Sequence, residues 1–143
     1  MIIGIFDSGV GGLWILKHLR KELPKFDYIY FSDQAHVPYG PKTSNEIRNF
    51  SKEITEFLIK QNCQLIIIAC NTASAISLNY LRQEFPETRF IGMEPAIKPA
   101  TETAKTGKIG VLATQITLQG ELYNSVVKKL DQHIKIFEDT CSG

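Results

Sequence analysis

The chain has 143 residues, with 16 Lys and Arg against 15 Asp and Glu, and a formal net charge of +1. That length suits one domain with a sizeable core and is short for two. The near-neutral balance, without a basic stripe or an arginine-rich tail, argues against nucleic acid as the main partner.

The N-terminus "MIIGIFDSG" has no basic n-region, long apolar h-region or small-residue cleavage site, so no secretory signal is read there. Within it Ile2–Phe6 reads as a strand, and Gly12–Glu22 as a helix with Leu13, Leu16, Leu19 and Leu23 at helical spacing. A second strand over Tyr28–Phe31 leads into the long loop Ser32–Ser44. A helix over Ser44–Gln61 follows, with Ile47, Phe50, Ile54, Phe57 and Leu58 on one face. Leu65–Ala69 is the third strand, Thr72–Phe85 the next helix and Arg89–Met93 the fourth strand. Lys108–Ala113, Leu118–Leu130 and Ile134–Phe137 read as strand, helix and strand. The strands are almost continuously apolar, which predicts burial on both faces, as in a parallel sheet. The alternation predicts an α/β fold, an open parallel sheet flanked by helices, with ligands bound beyond the carboxyl ends of the strands. The longest apolar run, Ile66–Cys70, is far below the ~20 residues that span a bilayer. Three cysteines without paired spacing suit a reducing compartment, so a cytoplasmic location is expected.

"IGIFDSG" (Ile3–Gly9) and "IGVLATQ" (Ile109–Gln115) both run from strand through polar turn to helix. The echo predicts a first α/β domain over residues 1–95 and the beginning of a second, similar one over 96–143. The sequence stops just after a strand, where an α/β unit normally enters a crossover helix. It therefore reads as the front portion of a larger two-unit architecture.

The polar residues collect where the strands stop. Asp7 and Ser8 precede Gly9, Gly11 and Gly12, a run that brings backbone amides and a helix N-terminus to one place. Asp7 as a simple turn cap is the plainer reading. The glycine spacing is not the dinucleotide fingerprint, because Trp14 stands at the last glycine position, and the second acid of an aspartyl-phosphate site is missing from position 9. In "SDQAHVPYGPKTS", Pro38, Tyr39, Gly40 and Pro41 can set a rigid turn, while His36 reads as a solvated loop histidine. In "LIIIACNTAS" a buried strand runs directly into Cys70, Asn71 and Thr72. A thiol there meets a helix N-terminus, which favours the reactive thiolate. Asn71 and Thr72 add an amide and a hydroxyl suited to a carboxylate. Cys63, between helix and strand, reads as structural.

Four stretches together resemble the glutamate racemases of the aspartate/glutamate racemase superfamily: "GIFDSGVGGL" (Gly4–Leu13), "VPYGPK" (Val37–Lys42), "IACNTAS" (Ile68–Ser74) and "IGVLATQIT" (Ile109–Thr117). The resemblance implies a cofactor-independent, metal-free enzyme that interconverts L- and D-glutamate and supplies D-glutamate for peptidoglycan and hence cell-wall biogenesis and cell shape. It implies two α/β domains facing each other across the substrate, a cysteine from each, no nucleic-acid or membrane partner, and leaves a homodimer open. It makes Cys70 the first catalytic cysteine, with Asp7 assisting the thiol and, with Ser8, binding substrate. Tyr39, Gly40, Asn71 and Thr72 match further substrate-binding positions, and Thr114 and Thr117 lie in the matching turn of the second domain. The second cysteine, followed by Thr and His, is expected beyond Gly143, since Cys141 in "DTCSG" lacks that pattern. Ser32 stands where the family often has Gly. An aspartate racemase-like enzyme shares the two-cysteine plan, and a half-enzyme that binds an acidic amino acid without catalysis is the alternative outside the enzymes. A phosphate-binding domain rests on the glycines after Asp7 alone. Apolar surface left bare on the second domain predicts self-association.

Overall fold

The computed structural model describes residues 1–131 and 133–141. Its first four strands, β1 (Ile2–Asp7), β2 (Asp27–Ser32), β3 (Cys63–Ile68) and β4 (Arg89–Gly92), form one parallel sheet in the order β2-β1-β3-β4. Alternate residues of β1 serve opposite faces, as strand geometry requires. Ile3 and Ile5 pack with Ile67 against Leu16 and Leu19 of α1 (Leu13–Glu22). Phe6 packs on the other side with Ile66, Ile68 and Phe90 against α2 (Ser44–Lys60) and α3 (Asn71–Glu84). The predicted open parallel sheet with flanking helices is therefore present. The central strands are covered on both faces as expected, whereas β2 is only half-buried along its length and Ile91 of β4 is exposed.

Local chemistry sets the helix ends. Thr43 and Glu46 form a reciprocal capping box: the Glu46 amide donates to Thr43 Oγ1 at 3.3 Å and the Thr43 amide to Glu46 Oε2 at 2.8 Å. Asn62, at φ 62°, then turns the chain into β3. Asn enters that left-handed conformation more readily than most residues.

The second half differs from the predicted pattern in three places. A helix that the sequence reading lacked, α4 (Ile97–Thr103), follows β4. Pro99 lies in its first turn, where a missing amide hydrogen costs no hydrogen bond, so Pro95 before the helix and Pro99 within it hid rather than forbade it. The predicted helix Leu118–Leu130 is instead two short helices, α5 (Gln115–Leu118) and α6 (Glu121–Val127). The break falls at Gly120, where an added Cβ would come within 3.0 Å of the Ala75 Cβ on α3. The final strand runs Lys135–Thr140 (β6) rather than Ile134–Phe137, pairing in parallel with β5 (Lys108–Ala113). Main-chain pairing carries it through Glu138-Asp139-Thr140, which side-chain polarity alone marks as loop. These two strands are not covered on both faces: Ile109 packs with Ile97 and Tyr123, while Leu112 and Phe137 are 75% and 59% exposed. Among the described residues, no helix is long and apolar enough to cross a membrane.

Candidate active site

The strand order reverses between β1 and β3, because the chain leaves β1 for one edge of the sheet and β3 for the other. The carboxyl ends of two such strands part around a crevice, the usual ligand position in open α/β sheets. Asp7-Ser8 and Cys70 meet there. Ser8 Oγ lies 3.4 Å from Cys70 Sγ, and the same sulfur accepts from the Ala73 amide at 3.4 Å as the N-cap of α3. Negative charge on that sulfur meets the positive end of the helix dipole. Cys70 is 7% exposed.

The Asp7 carboxylate is buried and accepts from the Gly12 amide at 2.8 Å, so it also performs the turn-holding role of the plainer reading. Gly12 is obligatory: a Cβ would lie 2.7 Å from Ala69 Cβ, 3.1 Å from the Tyr30 ring and 3.2 Å from Asp7 Cβ. Tyr30, which the sequence reading passed over, belongs to this cluster. Burial, with the nearby charges of Asp7 and Cys70, pushes its phenol up to about 12.

The loop after β2 is held by a residue that the sequence reading also missed. Asp33 is buried, its amide donates to the Asp7 carbonyl at 2.9 Å, and it accepts from the Tyr39 hydroxyl at 2.6 Å. His36 Nδ1 lies 2.8 Å from the same carboxylate and its ring stacks on Phe50 at 4.0 Å, while its side chain stays 41% exposed, so the loop histidine is both anchored and partly solvated. Burial, followed by the bond to Asp33, drives the Tyr39 phenol far above its ordinary range. A neutral phenol committed to Asp33 leaves the Tyr39-Gly40 main chain as what this turn offers a ligand. The signal for Asp33 was its place at the carboxyl end of a strand, where Asp7 and Cys70 also lie.

The structure brings Thr72, Thr114 and Thr117 together from the two sheets. Thr72 Oγ1 is 3.1 Å from both Thr114 Oγ1 and Thr117 Oγ1, which are 2.7 Å from each other, and all three residues are buried. Three hydroxyls in a ring can each donate once and accept once, which satisfies them without a ligand. Asn71 is exposed beside them and, with Thr117, Pro95, Ile97 and Leu112, lines a cavity of about 280 Å³. Cys63 opens β3 at the far end of the sheet, its thiol pushed up by burial, in keeping with a structural role. Cys141 is exposed and follows β6, its amide donating to the Ala113 carbonyl at 3.0 Å. Among the described residues, no group of three or more His, Cys, Asp or Glu stands together as a metal site.

The chain is similar to known proteins over nearly its whole length. Residues 15–142 match the family described as Asp/Glu/Hydantoin racemase. A glutamate racemase of Pseudomonas aeruginosa is 39% identical over 141 residues, covering 99% of this chain and 53% of its own length. The crystal structure of Escherichia coli glutamate racemase in complex with L-glutamate and the activator UDP-MurNAc-Ala superposes with a TM-score of 0.88 at 33% identity, covering 99% of this chain and 53% of that one. Glutamate racemase from Francisella tularensis in complex with D-glutamate gives a TM-score of 0.79 at 36% identity, covering 98% of this chain and 52% of that one. The chain thus spans about half the length of the relatives it matches. It belongs to the Asp/Glu/hydantoin racemase family.

Proposed function

We propose that the chain is the N-terminal portion of a cofactor-independent glutamate racemase, an isomerase interconverting L- and D-glutamate. Residues 1–95 form its first α/β domain and 96–143 open its second. One observation carries the reading: the Cys70 sulfur sits at the β1/β3 crevice with Ser8 at 3.4 Å and the first turn of α3 against it. The L-glutamate and D-glutamate complexes of the two related racemases support the substrate.

In this reading the Cys70 thiolate takes the α-proton. The C–H electron pair passes into the α-carboxylate, where fixed donors stabilise the developing charge. A second acid on the opposite face, outside this chain, returns a proton to Cα and inverts it. Asp7 assists the thiol. Ser8, the Tyr39-Gly40 main chain, Asn71 and Thr72 hold the substrate, and Thr114 and Thr117 exchange a mutual hydrogen bond for one to a carboxylate. The D-glutamate serves peptidoglycan synthesis, and so cell-wall biogenesis and cell shape. The enzyme works in the cytoplasm, without nucleic-acid or membrane partners.

Proton NMR of L- and D-glutamate in deuterated buffer, with the chain and with Cys70→Ala, tests this. Cys70-dependent loss of the Cα proton signal is expected. Retained configuration identifies a one-sided proton exchanger, and inversion identifies Cys141 or another subunit as the opposite acid. Faster exchange with aspartate would move the assignment to the aspartate enzymes. Absence of exchange both here and in a chain extended to the relatives' full length would overturn it.

A further inference from the structure

The carbonyl of Gly9 receives two side-chain donors from β2. Tyr30 Oη donates to it at 3.0 Å and Ser32 Oγ donates to it as well. Tyr30 and Ser32 are two residues apart on one strand and so point to the same face of the sheet. That is the face on which Ile3 and Ile5 of β1 pack beneath α1. Both lone pairs of the Gly9 oxygen are therefore occupied, in the turn that leads from β1 into α1. The residue immediately before this carbonyl is Ser8, whose hydroxyl contacts the Cys70 sulfur.

We propose that Tyr30 and Ser32 are positioning residues for the thiol: by clamping the Gly9 carbonyl they hold Ser8 Oγ against Cys70 Sγ. The inference rests on the reading of Cys70 as the proton-transfer group and extends it to two residues that act through the Gly9 carbonyl. A glycine at position 32, which lacks the second donor, leaves the carbonyl to Tyr30 alone. Ser8 then samples rotations about the turn that carry its hydroxyl off the sulfur. The phenol of Tyr30 is suited to the task because burial and neighbouring negative charge keep it protonated, and so a donor, across the working range. The Ser8 hydroxyl held at this distance can donate to charge that develops on the sulfur.

The test follows alkylation of each cysteine by iodoacetamide at fixed pH, resolved by peptide mass spectrometry, so it reads the thiol without requiring turnover. Ser8→Ala, Ser32→Ala and Tyr30→Phe should each slow Cys70 about threefold to tenfold, the factor of one modest hydrogen bond. Ser32→Thr, which keeps the hydroxyl, should restore the rate, and Ser8→Ala combined with Ser32→Ala should be no slower than Ser8→Ala alone. Exposed Cys141 should be unaffected, and buried Cys63 should stay protected, which separates loss of the clamp from general loosening. Unchanged Cys70 rates in folded Ser32→Ala and Tyr30→Phe would overturn the proposal. So would additive slowing in the double variant, or slowing that appears only together with exposure of Cys63. Failure of glutamate exchange with this pattern intact would count against the racemase reading and leave the clamp standing.

Discussion

The two sheets of this chain are built from similar sequence and finished differently. In the four-stranded sheet, helices lie on both faces and Ile3, Ile5, Ile66 and Ile68 are fully enclosed. In the β5–β6 pair, α4 and α6 cover one face while Leu112 and Phe137 stand in solvent on the other. Parallel strands are normally covered on both faces, and a pair of strands carries little stability by itself. The contrast shows where the site draws its rigidity. Asp7, Ser8, Tyr39 and Cys70 are all anchored to the finished sheet, and the unfinished one reaches them through the threonine ring and the Asn71 cavity.

The sharpest way to break this comparison is to cut the same side chain in both sheets. Ile66→Ala removes a fully buried side chain and should cost about 2–5 kcal/mol. Ile136→Ala, at a half-buried position, should cost about 1 kcal/mol or less. Urea unfolding of the two variants checks this, and equal losses would mean that the sheets share one core. A smaller effect is expected on association. Leu112→Lys with Phe137→Lys should lower self-association in sedimentation velocity while leaving Cys70 alkylation unchanged, because the replaced groups lie on the bare face. If association persists, another surface carries it.

The smallest effect concerns alkaline pH and separates the regions by their phenols. Tyr30 has its folded value raised from 10.0 to about 12. Its neutral form is thus favoured in the folded chain, so its contribution to stability is complete below pH 10 and is lost as pH rises from 10 toward 12. Tyr39, also in the first region, and Tyr123, in the second, shift in the same direction, each by burial first and then by a bond to a carboxylate. Urea midpoints should drop as pH rises from 10.0 to about 12. Tyr30→Phe should shallow the fall, and an unchanged slope would place the loss on Tyr39 and Tyr123.

Periodicity and punctuation carried the sequence reading where neighbours along the chain decide the outcome. The apolar run of β3 ending at Cys70, the glycines after Asp7 and the helix opening at Ser44 are all of this kind, and each stands in the structure within a residue or two of its expected place. Where distant segments decide, the reading fell short. The break falls on a glycine, Gly120, because Ala75 of another helix occupies the space a side chain would need. α4 is helical in spite of two prolines because Ile97 finds Ile109 and Tyr123 beneath it.

By itself, then, the amino-acid sequence determined the alternating α/β pattern, the chemistry waiting at the strand ends and the family to which that chemistry belongs. Only the tertiary structure decided how those groups are used. The order β2-β1-β3-β4 brings Ser8 to Cys70, Asp33 takes up the Tyr39 phenol, Tyr30 and Ser32 converge on the Gly9 carbonyl, and Thr72 meets Thr114 and Thr117 across two sheets. The physical reason is one of range. Side-chain periodicity and capping act over a few residues, whereas a hydrogen-bond partner for a buried polar group is chosen by whichever element the sheet order sets beside it.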